Sequence, residues 1–142
     1  MPCATPQITQ KRPIHCLRGP SMPIRPGFVD LIGNTPLVRL NAVSEATGCE
    51  ILGKCEFLNP GGSIKDRVAK QLFQDAEESG RMKEGDRVVE ATSGNAGIGM
   101  AMMAAAKGYK MTTCIPAKMV GEKTRLLKAL GSEIIVTRSE AH

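Results

Sequence analysis

The chain has 142 residues, a net charge of +5 and 42% hydrophobic residues, but only three Phe, one Tyr and no Trp. That length suits one domain with a single core. No apolar run approaches the ~20 residues that a bilayer-spanning helix needs, so no membrane partner is expected.

The charge is unevenly placed. Residues 1–29 contain Lys11, Arg12, Arg18 and Arg25 and no acid, so they hold +4 and leave +1 for the other 113 residues. A near-neutral folded part argues against a nucleic-acid surface. Six of the nine prolines also fall in this segment, which predicts a disordered basic extension over 1–29 and a folded region over 30–142. The missing acids suit a mitochondrial transit peptide as the alternative to a cytoplasmic chain, although the prolines and scarce Ser spoil an amphipathic helix. Cys3, Cys16, Cys49, Cys55 and Cys114 form no CxxC pair. Neither a disulfide framework nor a metal site is expected, and reduced thiols fit better. Cys3 and His15 are possible haem ligands in type alone, a coincidence until shown otherwise.

After the extension, the turn Gly33-Asn34-Thr35-Pro36 leads into a short strand, "LVRL". Further strands are predicted at "EILGKCE" (50–56), "RVVEA" (87–91), "KMTTCI" (110–115) and "EIIVT" (133–137). Between them lie three helical stretches, Ser63–Ser79, Asn95–Lys107 and Gly121–Leu130, each followed by a glycine suited to a left-handed cap: Gly80, Gly108 and Gly131. The alternation implies parallel pairing through right-handed crossovers. The fold class is therefore α/β, a three-layer domain with a parallel sheet.

The stretch "NPGGSIKDR" (59–67) begins the first long helix. Ser63 and Asp66 fit a capping box, which places Lys65 in the first turn. Ala69, Leu72, Phe73 and Ala76 follow at helical spacing as the buried stripe, and Lys65 falls in line with them. Burial and the positive helix N-terminus both favour a neutral amine there, the form a Schiff-base nucleophile needs. A first-turn lysine reaching out to water is the competing reading of that position. The second loop, "EATSGNAGIG" (90–99), tips the balance. It sets Thr92, Ser93 and Asn95 at a helix start, where free N–H groups bind anions, and its glycines admit a ligand closely. The order GxxGxG is not the dinucleotide fingerprint, and Cys114 stands where a ribose-binding acid belongs. No GK[ST] follows, so the loop is not a P-loop and suits a small anion such as a carboxylate.

"LIGNTPLVRL", "KCEFLNPGGSIKDR" and "EATSGNAGIG" together resemble the pyridoxal-phosphate enzymes of cysteine synthesis, cysteine synthase and cystathionine β-synthase. The resemblance runs from Leu31 to Thr137, 107 residues, and "KCEF" and "PAKMVGEKTRLLKALGSEII" look more like the cystathionine β-synthase version. It implies the second fold type of pyridoxal-phosphate enzymes and a β-replacement reaction on serine or O-acetylserine with a thiol or sulfide. It further implies Lys65 as the Schiff-base lysine and acid/base, and Asn95 as the partner of the cofactor ring hydroxyl. Thr92, Ser93, Asn95 and Ala96 are implied as the holders of the substrate carboxylate. Longer relatives are expected to be homo-oligomers. Two positions depart from the family pattern: Ala96 stands for a usual Thr, and Ala91 for a usual Pro. The later loop that holds the cofactor phosphate has no counterpart, so an incomplete catalytic region is expected, with a non-catalytic remnant or partner subunit as the alternative.

Overall fold

The computed structural model describes residues 24–119 and 121–138. Cys3, His15, Cys16 and most of the extension expected over 1–29 lie outside the described residues. The chain is already structured at Phe28–Leu31, a 3-10 turn. Val29 packs against the core and accepts a hydrogen bond from Lys70 Nζ at 3.4 Å.

Five strands form where the sequence predicts them: β1 (Leu37–Arg39), β2 (Leu52–Lys54), β3 (Arg87–Ala91), β4 (Lys110–Pro116) and β5 (Glu133–Thr137). Three of the four helices are also the predicted ones, α2 (Lys65–Glu78), α3 (Asn95–Lys107) and α4 (Glu122–Ala129). The fourth, α1 (Asn41–Thr47), was not foreseen. It has seven residues and one buried side chain, Ser44, so it leaves little periodic signal.

The strands do not share one sheet. β3, β4 and β5 form a parallel sheet in chain order, with Val89 beside Thr112 and Cys114 beside Ile135. β1 and β2 instead pair antiparallel as a separate ribbon, Leu37 opposite Lys54 and Arg39 opposite Leu52. The expectation of parallel pairing throughout is corrected here. The connection carrying α1 returns the chain antiparallel, so β2 pairs with the strand it has just left.

Both crossovers of the parallel sheet run in one direction, which puts α3 and α4 on the same face. α2 packs along α3. Ala69 and Phe73 of α2, Ile98, Ala101, Met103 and Ala104 of α3, Met111 and Ile115 of β4 and Leu127 of α4 make one core. Phe73 stacks obliquely on Tyr109, ring centroids 5.7 Å apart, and the Tyr109 hydroxyl donates to Glu77 at 2.8 Å. The other sheet face is open, with Val89 61% and Ile135 47% exposed. The described residues thus supply two of the three expected layers. Among them, no helix is long and apolar enough to cross a membrane.

Candidate active site: a lysine beside a glycine-rich helix start

The segment 59–67 is held from inside by two polar side chains. Asn59, 3% exposed, accepts the Gly33 N–H at 2.8 Å. Its amide nitrogen donates to the Glu56 and Ser63 carbonyls and to Glu56 Oε2. Asp66 is fully buried, and its Oδ2 accepts the Gly61 N–H at 2.5 Å. Any side chain at Gly61 would place Cβ 2.4 Å from Asp66 Oδ1, so this contact demands glycine. Burial pushes the Asp66 carboxyl above the usual range, partly offset by the Gly61 bond, and the nearby Glu56 charge adds to the rise.

These contacts correct the expected cap. Asp66 reaches back to Gly61 rather than to Ser63, and Ser63 Oγ accepts the Lys65 N–H at 3.1 Å. They also correct the expected burial of Lys65, which is exposed. The inward stripe of α2 is Asp66, Ala69 and Phe73, and Leu72 is 51% exposed. Successive helix positions differ by about 100°, so an inward Asp66 turns Lys65 away from the core. The lysine instead lines a cleft of about 130 Å³ with Val68, Ala69, Leu72, Glu90, Ala96 and Met100.

Ala96 belongs to the second loop, so the cleft is where the two motifs meet. β3 ends at Ala91, and α3 starts at Asn95 with no side chain capping it. Thr92 and Ser93 are half-buried and Asn95 is exposed, while Thr92 Oγ1 accepts the Gly94 N–H at 3.2 Å. The first-turn amides of α3 have no carbonyl partner within the helix, the arrangement that binds anions. Two glycines permit it. A Cβ at Gly97 would sit 2.7 Å from Thr92 Cγ2, and one at Gly99 would sit 3.1 Å from the Lys65 carbonyl oxygen. Gly99 therefore seats α3 directly against the backbone of the lysine.

Glu56 is a hub that the sequence reading missed. It accepts from Arg67 Nε at 2.8 Å and Nη2 at 3.0 Å, from Thr35 Oγ1 at 2.6 Å and from Asn59 Nδ2 at 2.8 Å. The Arg67 guanidinium, followed by the Thr35 hydroxyl, pulls its carboxyl down to about 2. This cluster ties the turn before β1 to α2. The only sequence signal was that its members sit inside the motif stretches.

Lys65 and the uncapped start of α3 thus meet on one cleft beside a parallel α/β layer. The family model described as pyridoxal-phosphate dependent enzyme matches residues 29–142, and the chain belongs to that family. Cystathionine beta-synthase of Dictyostelium discoideum is 53% identical over 137 residues, covering 96% of this chain and 28% of that protein. Cysteine synthase 1 of Neurospora crassa is 53% identical over 111 residues, covering 78% of this chain and 30% of its own length. Among solved structures, O-ureido-L-serine synthase superposes with a TM-score of 0.78 at 40% identity, over 82% of this chain and 36% of that one. A hydrogen sulfide-producing enzyme from Fusobacterium nucleatum does so with a TM-score of 0.77 at 42% identity, over 84% and 39%. The chain thus spans about 28% of the length of the first of these relatives.

Proposed function

We propose that this chain supplies the lysine-bearing wall of a pyridoxal-phosphate site for β-replacement on serine or O-acetylserine, with a thiol or sulfide as the incoming group. The observation that carries the reading is the shared cleft: Lys65 and Ala96, from two motifs 31 residues apart, line one cavity. The exposed amine and the uncapped amides of α3 suit the aldehyde of the cofactor and the carboxylate of an amino acid. When bound, the cofactor supplies an electron sink for the bonds at the substrate α-carbon.

This chain's own residues do the rest. Lys65 Nζ would hold the aldehyde of the cofactor and would serve as the acid/base that moves the substrate α-proton. The Thr92 and Ser93 side chains and the Asn95 and Ala96 amides bind the carboxylate, helped by the helix N-terminus. The Asn95 side chain would bond the ring hydroxyl of the cofactor. Alanine at position 96 leaves the carboxylate with one hydroxyl fewer than the family pattern, and a hydrogen bond to a charged group contributes ~1.5–3 kcal/mol.

The apolar side chains around β1, the turn at Glu56–Leu58 and the start of α2 favour an assembly in which other polypeptide completes the site. Leu37, Phe57, Leu58, Ile64 and Leu72 are each more than half exposed there. A reducing compartment such as the cytoplasm suits the free thiols of Cys49, Cys55 and Cys114.

The test is borohydride reduction of the protein with pyridoxal phosphate, followed by peptide mapping. The label is expected on Lys65 and is lost in K65A. Labelling spread over other lysines, with Lys65 unmarked, rejects the reading.

A further inference from the structure

We propose that Asp66 is a positioning residue: its bond to Gly61 fixes the rotation of α2 and so aims Lys65 into the cleft. The inference rests on the reading of Lys65 given above and goes beyond it by assigning a role to the buried acid beside it.

Asp66 has no exposure, yet one carboxyl oxygen, Oδ1, has no hydrogen-bond partner. A carboxyl with an unmet acceptor is an unfavourable filler for an apolar stripe, where alanine or leucine would serve better. What the stripe gains is the Oδ2 contact with Gly61, five residues back and across the glycine pair. The contact is built on both sides, because the missing Cβ of Gly61 is what allows the carboxyl to come so close. Positive φ at Gly62 (+79°) then turns the chain into the helix.

The consequence for Lys65 is geometric. Positions 65 and 66 are about 100° apart around the helix, so only one of them faces the core. With Asp66 drawn inward, Lys65 is directed to the cleft side with Val68 and Leu72, three and seven residues on. Gly99 of α3 backs the Lys65 carbonyl from the other side. Without the Gly61 anchor, Asp66 has every reason to turn to water, and the first turn of α2 rotates or frays. Lys65 then loses its direction even though its own side chain is untouched.

Asn at position 66 keeps an oxygen for the Gly61 N–H and removes the buried charge, whereas Ala removes the anchor. Hydrogen exchange at the Gly61 amide and the share of borohydride-fixed pyridoxal phosphate on Lys65 are read in wild type, D66N and D66A, each as the full chain. In D66A, Gly61 exchange is expected to rise about tenfold, the equivalent of one hydrogen bond, and the Lys65 share to fall by a similar factor. D66N is expected to restore both to within about twofold, which a generic loss of stability would not do. Unchanged Gly61 exchange in D66A overturns the proposal, as does faster exchange with the Lys65 share intact. Should D66A not fold, the wild-type chain still decides by NMR. The Gly61 amide proton and the Asp66 carboxyl carbon must titrate with one midpoint, and separate midpoints refute the anchor. An unlabelled Lys65 in wild type sinks the cofactor reading instead, while the Gly61 measurements judge the anchor independently.

Discussion

Replacing Gly99 tests the claim that lysine and anion site are seated directly on each other. An added Cβ would lie 3.1 Å from the Lys65 carbonyl oxygen and 3.3 Å from the Ala69 Cβ. Neither neighbour can swing aside, since one is helix backbone and the other a methyl with no rotamer. α2 must therefore withdraw by a few tenths of an ångström. In G99A, alanine gains up to ~1 kcal/mol of helix propensity. Overpacking a core costs ~1–3 kcal/mol, so the contact outweighs the propensity and a net loss of about 1 kcal/mol is expected. For a domain of this size that lowers the melting temperature by roughly 5 °C, readable by circular dichroism. G99V adds two further methyls and should cost about 3 kcal/mol. The share of pyridoxal phosphate fixed on Lys65 should fall in the same order. A G99A chain that melts at or above the wild type would show that α2 and α3 have slack at this crossing, and the argument would fail.

Glu56 gives a pH prediction. Its folded value of about 2 lies below the ordinary 4.5, so its stabilisation is present above 4.5 and is lost as pH falls toward 2. E56Q should flatten that part of the acid denaturation curve, and an unaltered curve would contradict the hub. Asn95→Ala should alter the absorption spectrum of bound pyridoxal phosphate, whereas Ser93→Ala should leave it alone and weaken amino-acid binding by about tenfold. Equal spectral changes in both would overturn that division of roles. The 142-residue chain assayed by itself with O-acetylserine and sulfide should show little turnover, because Lys65 is exposed and misplacing reacting groups by ~1 Å can cost ~10²-fold. Turnover matching that of a longer family member would mean that copies of the chain complete each other's site.

The legible parts of the fold were those encoded locally. β3, β4 and β5 are short runs rich in β-branched residues, and Gly108 and Gly131 end α3 and α4 with φ of +79° and +87°. The rotation of α2 was not legible, because pattern reading gives inward positions to apolar residues. It chose Leu72 and aligned Lys65 with it. The winner was Asp66, a polar residue drawn inward by a loop glycine, which no hydrophobic count can register. The ribbon was misread for a related reason: strand type is local, but partner and direction are set by tertiary packing. Of the candidate site residues, Lys65 and Ala96 share the cleft, while Thr92, Ser93 and Asn95 line the adjoining loop at the start of α3. The Glu56 cluster was hidden because its four residues are scattered from Thr35 to Arg67 and meet only in three dimensions.

The packing of Tyr109 on Phe73 makes this chain its own spectroscopic instrument. Tyr109 is the only tyrosine and there is no tryptophan. Intrinsic emission therefore comes from one ring, lodged between α2 and the start of β4, with its hydroxyl held by Glu77. Quenching or recovery of that signal reports whether the helix carrying Lys65 is docked. The near-ultraviolet region is otherwise almost dark, so a chromophore on the lysine could be followed in the same cuvette without a dye, a tag or a background correction from the protein.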